Sequence, residues 1–126
     1  LGRGMQYLNF LPDIGEDREL GRQYIPNDVV SKHDQTSLRR EDTADHEEAF
    51  ADLITEEVRR GMSWLDHGRD AFHAIPYRCR VPIRTATDMY EWTGRQLQRR
   101  PRRVYDDTVK PSTARILLRG LCNMIV

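Results

Sequence analysis

The sequence predicts an all-α fold, and three observations carry that reading. Apolar residues recur at intervals of three and four through Phe50, Leu53, Ile54, Val58, Met62 and Leu65, the spacing of one helix face. No segment alternates at period two for long enough to form a strand. The composition, 38% hydrophobic and 32% charged, suits long amphipathic helices that each bury a single stripe, and the mean hydropathy of −0.74 agrees.

Residues 1–18 read as the first helix, interrupted by Pro12, which cannot donate to the Leu8 carbonyl. Either the helix kinks there or the stretch beyond it is a separate turn. Proline costs about 3 kcal/mol in a regular helix interior, so Pro12→Arg is expected to stabilise this helix. Gly21 is a helix stop, and Tyr24-Ile25-Pro26 an extended exit, because the residue before proline avoids helical geometry. Asn27 or Asp28 caps a short helix through Ser31. Residues 32–45 are polar with little to bury and read as an exposed connection.

A long helix follows over residues 46–72, of a length that suits a helical bundle. Gly61 and Gly68 within it each cost about 1 kcal/mol relative to alanine, which close helix contact or a bend would explain. Pro76 and Pro82 bracket a turn, and the next helix covers residues 82–99, with Ile83, Ala86, Met89, Tyr90, Thr93 and Leu97 inward. Pro101 ends it, beside a basic cluster of Arg99, Arg100, Arg102 and Arg103. A last helix begins after Pro111, is capped by Ser112, and carries Ile116, Leu117, Leu121, Met124 and Ile125.

The most unusual surface lies on the first helix. At roughly 100° per residue, Gln6, Asn9, Asp13 and Asp17 fall on one stripe about 80° wide, with two amides, two carboxylates and no cation. Exposed like charges four apart repel by about 0.2–0.5 kcal/mol, and a buried unpaired carboxylate costs far more. A divalent cation relieves both problems. All-oxygen donors suit Mg²⁺, which bridges carboxylates to phosphates. Arg22 and Tyr24 offer donors to a diphosphate. Glu16 lies roughly 60–80° off the stripe and reads equally as a supporting partner or a solvated residue.

These residues match a known pattern. Asn9-Phe10-Leu11-Pro12-Asp13-Ile14-Gly15-Glu16-Asp17, then Gly21-Arg22-Gln23-Tyr24-Ile25-Pro26, resembles the second aspartate-rich motif of the squalene/phytoene synthases. That pattern is Gln, two residues, Asn, then Ile/Leu-Arg-Asp-(Val/Ile)-x-Glu-Asp, and shortly Gly-Arg-x-Tyr-x-Pro. Gln6 and Asn9 fall where the family has its amides, and Pro12 stands where it usually has Arg. Pro82-Ile83-Arg84, Ala86 and Tyr90, and Lys110-Pro111-Ser112 with Arg115, are similar to its C-terminal helices.

The resemblance implies the all-α isoprenoid (terpenoid) synthase fold, with two Asp-rich helices facing each other across a cavity. It implies a Mg²⁺-dependent transferase that condenses two farnesyl or two geranylgeranyl diphosphates head-to-head to squalene or phytoene, with NADPH where squalene is formed. Asp13 and Asp17 would then be catalytic Mg²⁺ ligands, and Gln6, Asn9, Arg22 and Tyr24 substrate-binding groups. The family's first aspartate-rich motif is not contained in these residues. The chain opens in mid-pattern, so residues 1–126 are expected to be the C-terminal part of one such domain, inactive alone. A non-catalytic helical remnant or interaction module is the alternative.

Other features are plainer. Twenty basic and twenty acidic residues cancel, so no global field attracts nucleic acid. No run is long and apolar enough to span a bilayer. Cys79 and Cys122 lack metal-ligand spacing and read as reduced thiols of a cytosolic protein. His33, His46, His67 and His73 lack paired spacing as well. Asn27-Asp28-Val29-Val30-Ser31 nearly spells a second metal motif of terpene cyclases, but Gln35 stands where a Glu is needed, and a helix start explains it. Trp64, Trp92, Tyr77 and Tyr90 read as packing residues. The Arg99–Arg103 cluster is most simply a solvated helix end, or a peripheral contact with anionic lipid.

Overall fold

Pro12 sets the architecture at the start of the chain. In the computed structural model, which describes residues 1–106 and 108–126, helix α1 (Gly2–Phe10) runs into a 3₁₀ turn, Leu11–Asp13, and α2 (Ile14–Glu19) resumes beyond it. The missing proline N–H is absorbed by this tighter turn. Phe10 and Leu11 keep helical dihedrals, and the direction changes at Asp13, with φ −92° and ψ 5°. Gly21 ends α2 as expected, at φ 74°. Its N–H donates to the Arg18 carbonyl (3.2 Å) and the Arg22 N–H to the Asp17 carbonyl (2.7 Å). This paired geometry is the Schellman motif, which folds Arg22 back over the end of α2.

Two expectations about residues 26–45 are corrected. Helix α3 (Asn27–Lys32) has Pro26 at its N-cap and no side-chain cap, while the Asn27 Oδ1 accepts from Gln23 Nε2 at 2.7 Å. The connection beyond it is not simply exposed. It contains α4 (Arg40–Ala44) and buries Gln35, Leu38 and Thr43. Leu38 and Thr43 are held by a distant residue: the Tyr105 hydroxyl donates to the Leu38 carbonyl (2.7 Å), and Thr43 Oγ1 lies 3.2 Å from that hydroxyl. Two isolated positions give no periodic signal, so only the fold exposes their role.

The core forms where α5 (Glu47–Arg69) meets α1 and α6 (Tyr77–Arg99). Phe50, Leu53, Ile54, Val58 and Leu65 are buried on the predicted α5 face, joined by Leu8, Leu11 and Leu97. Burying each such side chain stabilises the fold by about 1.5–3 kcal/mol. Gly61 is explained by close contact rather than a bend, since α5 is continuous. A Cβ there would stand 2.8 Å from Leu8 Cδ2, and one at Gly94 on α6 would stand 3.3 Å from the same atom. Leu8 therefore fills a notch cut by two glycines.

Helix α6 begins earlier than the sequence suggests. Tyr77–Arg80 form its first turn, with the Cys79 and Arg80 N–H groups both bonding the Pro76 carbonyl, so Pro82 lies inside the helix rather than at its start. A proline so near the N-terminus forgoes only the bond to the Arg78 carbonyl. Buried Thr85, Thr87 and Thr93 return their hydroxyls to carbonyls four residues back, at 2.8–3.1 Å. After Pro101, α7 (Arg103–Asp106) packs against α2. Arg102 leaves the basic cluster and turns inward, donating to Thr43 Oγ1 (2.9 Å) and lying 4.9 Å from the Tyr105 ring centre.

Helix α8 (Thr113–Ile125) starts as expected, with Ser112 Oγ accepting from the Arg115 N–H at 3.3 Å. Polar contacts hold it to α6: Arg119 Nε and Asn123 Nδ2 reach Asp88 Oδ2 at 2.8 and 2.9 Å. Its apolar residues stay largely exposed, Leu117 at 64% and Ile125 at 89%. Among the described residues there is no strand, and no helix is long and apolar enough to cross a membrane. Trp64 meets Tyr7 edge-on at 5.1 Å and Trp92 lies under Arg115 at 4.9 Å, as packing residues do.

Candidate active site

The break at Pro12 places Asp13 on a wall shared by two cavities. One, of about 920 Å³, lies between α1, α6 and α8 and is mostly apolar. Leu8 and Asn9 line it from α1, Ala86, Met89, Tyr90 and Thr93 from α6, and Leu117, Leu121 and Met124 from α8. The other, of about 490 Å³, is polar and lies between α2, α4 and α7, with Glu16, Arg18, Glu19, Arg39, Arg40 and Asp106 around it. Pro12 and Asp13 border both. The inward stripe read on α6 is thus partly a cavity wall: Ala86, Met89 and Tyr90 face open space as well as protein.

Asp13 is the N-cap residue of α2, yet its side chain makes no capping bond to that helix. Its backbone lies in the sparsely populated bridge region, where many active-site residues sit. Burial pushes its carboxyl above the usual aspartate value, the neighbouring Lys110 ammonium pulls it down, and Asp17 and Glu16 push it up again. In the sequence, Lys110 belongs to the Lys110-Pro111-Ser112 stretch and carries no role of its own. Its position beside Asp13 depends on the 108–112 segment returning to α1, which no local pattern encodes.

The four-residue stripe does not survive intact. Asn9 and Asp13 line the apolar cavity together, whereas Gln6 is exposed on α1 and borders neither cavity. Asp17 borders a smaller hollow with Phe10, Arg22 and Tyr24. There Arg22 Nη1 stands 4.0 Å from Asp17 Oδ1, and Tyr24 stacks on Phe10 at 4.4 Å between ring centres. The 3₁₀ turn rotates the chain by about 120° per residue instead of 100°, which moves Asp17 away from the line through Gln6 and Asn9.

A sequence profile of the family described as squalene/phytoene synthase matches residues 1–117. The chain belongs to the squalene/phytoene synthase family. Among curated relatives, a bifunctional lycopene cyclase/phytoene synthase of Phaeosphaeria nodorum is 28% identical over 104 residues, 79% of this chain and 17% of that protein. The corresponding protein of Leptosphaeria maculans is 30% identical over 102 residues, 78% of the chain and 17% of its own length. A presqualene diphosphate synthase of Zymomonas mobilis is 37% identical over 71 residues, 56% of the chain and 22% of its length. The chain therefore spans less than a quarter of these relatives. No solved structure matches it.

The all-α architecture agrees with the isoprenoid synthase fold of this squalene/phytoene synthase family. The donor set at the α1–α2 break also fits Mg²⁺. Asp13, Asp17 and the adjacent Glu16 offer only hard carboxylate oxygens, and the burial and like charge that raise Asp13 are what a cation would relieve. Among the described residues, no group of three or more His, Cys, Asp or Glu is arranged to hold a metal. Mg²⁺ commonly uses one or two protein carboxylates and completes its shell with water and phosphate oxygens, so its fit does not require a larger cluster.

Proposed function

We propose that this chain forms one side of the active site of a Mg²⁺-dependent prenyltransferase that joins two prenyl diphosphates head-to-head. The observation that carries the reading is Asp13, standing where an apolar cavity meets a polar pocket. A prenyl diphosphate has the same division, an apolar chain ending in a dense negative charge. Met89, Tyr90, Leu117 and Leu121 would hold the chain and keep water from an allylic cation. Asn9 would orient the substrate at the polar end, and Asp13 and Asp17 would hold Mg²⁺. When bound, Mg²⁺ supplies charge stabilisation to the departing diphosphate. Gln6, Arg22 and Tyr24 remain substrate-binding assignments from the motif; Arg22 acts through Asp17 in the geometry described above.

The substrate class is farnesyl or geranylgeranyl diphosphate, and NADPH enters only if the reaction proceeds to squalene. The facing aspartate-rich helix would come from protein outside residues 1–126, so the isolated chain would make no product. Exposed Arg99 and Arg100 would serve any contact with anionic lipid, because Arg102 is committed to Thr43. The test is product analysis of the full-length protein with Mg²⁺ and each prenyl diphosphate, with and without NADPH. A C30 or C40 head-to-head hydrocarbon or its cyclopropyl diphosphate is expected. Absence of any such product with both substrates overturns the reading.

A further inference from the structure

Helix α8 forms one wall of the apolar cavity without an apolar anchor of its own. Among the described residues of α8, all but Gly120 and Asn123 are exposed, and the buried one is the amide Asn123. What holds the helix is a polar clasp on Asp88 of α6. Asp88 Oδ2 accepts from Arg119 Nε (2.8 Å) and Asn123 Nδ2 (2.9 Å), and Oδ1 accepts from Arg69 Nη2 of α5 (2.9 Å). Asn123 Nδ2 also donates to Thr85 Oγ1 at 3.2 Å. One carboxylate thus ties three helices, with its side chain only 11% exposed. Two further contacts flank the clasp: Arg115 over Trp92, and the Tyr77 hydroxyl donating to the Met124 carbonyl at 2.5 Å. Asp88 itself borders neither cavity and stands about 100° round α6 from Met89, behind the wall.

Resting on the prenyl diphosphate reading, we infer that Asp88 is a positioning residue that fixes α8 against α6 and so sets the length of prenyl chain the cavity accepts. Ala86 and Met89 line the cavity from α6, Leu117 and Leu121 from α8, so the spacing of these two helices is one dimension of the cavity. Where helices bury apolar side chains between them, separation re-exposes that surface to water and is resisted. Here the contact at Gly120 is ordinary, since a Cβ there would stand 3.8 Å from Thr85 Oγ1. The charge-assisted bonds of Asp88 carry the spacing instead. Without Asp88, the Asn123 amide keeps Thr85 alone, whereas Arg69 keeps Glu91 at 2.6 Å and Asp66 at 3.2 Å. Removing the carboxylate therefore releases α8 from α6 at the clasp, and the widened cavity favours a longer chain.

The test uses the full-length protein and the unreactive farnesyl and geranylgeranyl thiolodiphosphates, with binding measured by calorimetry in the presence of Mg²⁺. Asp88→Ala is expected to shift the ratio of the two affinities about threefold or more toward the geranylgeranyl chain, while binding of inorganic diphosphate stays within about twofold. Asn123→Asp sets two carboxylates against each other and should shift the ratio the same way. Asp88→Asn combined with Asn123→Asp exchanges donor and acceptor, remakes the bond, and should return the ratio to within about twofold of the unmodified protein. A merely structural Asp88 would lower the melting temperature and leave the ratio unmoved. A smaller shift in Asp88→Ala, a shift toward the shorter chain, or one that the exchanged pair fails to reverse overturns the inference. Amide hydrogen exchange over residues 113–125, measured without ligand, should quicken in Asp88→Ala and slow again in the exchanged pair; unchanged exchange overturns the clasp. If neither analogue binds the unmodified protein, the prenyl diphosphate reading fails, and the exchange rates alone decide whether Asp88 holds α8.

Discussion

Gly15 faces the carbonyl oxygen of Val104 so closely that a Cβ would stand 2.4 Å from it. This contact lets α2 lie directly on α7 and fixes one wall of the polar pocket beside Asp13. Gly15→Ala must push the two helices apart. Overpacking of this kind costs about 1–3 kcal/mol, so thermal unfolding should occur several degrees lower. Loss of activity should exceed the loss of folded protein at the assay temperature, because Asp13 moves with α2.

Pro12 is a built part of the site rather than a defect in a helix. It is buried, and with Asp13 it forms the wall between the two cavities. Pro12→Arg would restore an N–H but place a long cation in a buried position. The expectation from sequence is therefore reversed: differential scanning calorimetry should show a lower melting temperature, and a higher one would mean that helix propensity dominates at this position.

The two aspartates should differ in how they fail. Asp13→Asn removes the carboxylate at the seam of the cavities, and kcat of the full-length protein should fall by about 100-fold or more, the scale of one lost electrostatic contact at a reacting centre. Asp17→Asn also leaves Arg22 without its 4.0 Å partner, so a steep fall in kcat should come with a changed KM for the prenyl diphosphate. A rate within threefold of the unmodified protein for either variant would remove that residue from the proposed metal site.

Glu57 gives the clearest pH dependence. It is fully buried on α5, accepts the Tyr7 hydroxyl and lies 3.2 Å from Arg60 Nη2. Burial raises its carboxyl above the ordinary glutamate value of 4.5, against the pull of Arg60. The folded protein therefore holds the proton to higher pH than the unfolded chain. Its contribution to stability is fully present below 4.5 and is lost as pH rises through the raised folded value. Glu57→Gln keeps an acceptor for Tyr7 and removes that loss. At pH 8 it should be more stable than the unmodified protein in chemical denaturation, with the advantage shrinking as the pH falls through the raised folded value.

Cavity filling separates chain binding from diphosphate binding. Met89→Trp would occupy the wall between α6 and α8 and should abolish product formation while Mg²⁺-diphosphate binding, measured by calorimetry, stays within about twofold.

The helices were legible in the sequence because their signals are local. Phe50 to Leu65 declare one face of α5, Gly21 the end of α2, Ser112 the cap of α8, and Asp13 and Asp17 a carboxylate pair in a recognisable motif. Tertiary structure alone decided what those residues face. Pro12 could be seen to break the helix, but the 3₁₀ turn that separates Asp17 from Asn9 needs the packing of α1 and α2 to define its angle. Tyr105 reaching Leu38 and Thr43 joins residues more than sixty positions apart, and no periodicity marks such a pair. Lys110 meets Asp13 across most of the chain for the same reason. A repeating pattern records which side of a helix is apolar, whereas the meeting of two charges depends on chain paths that only the assembled helices determine.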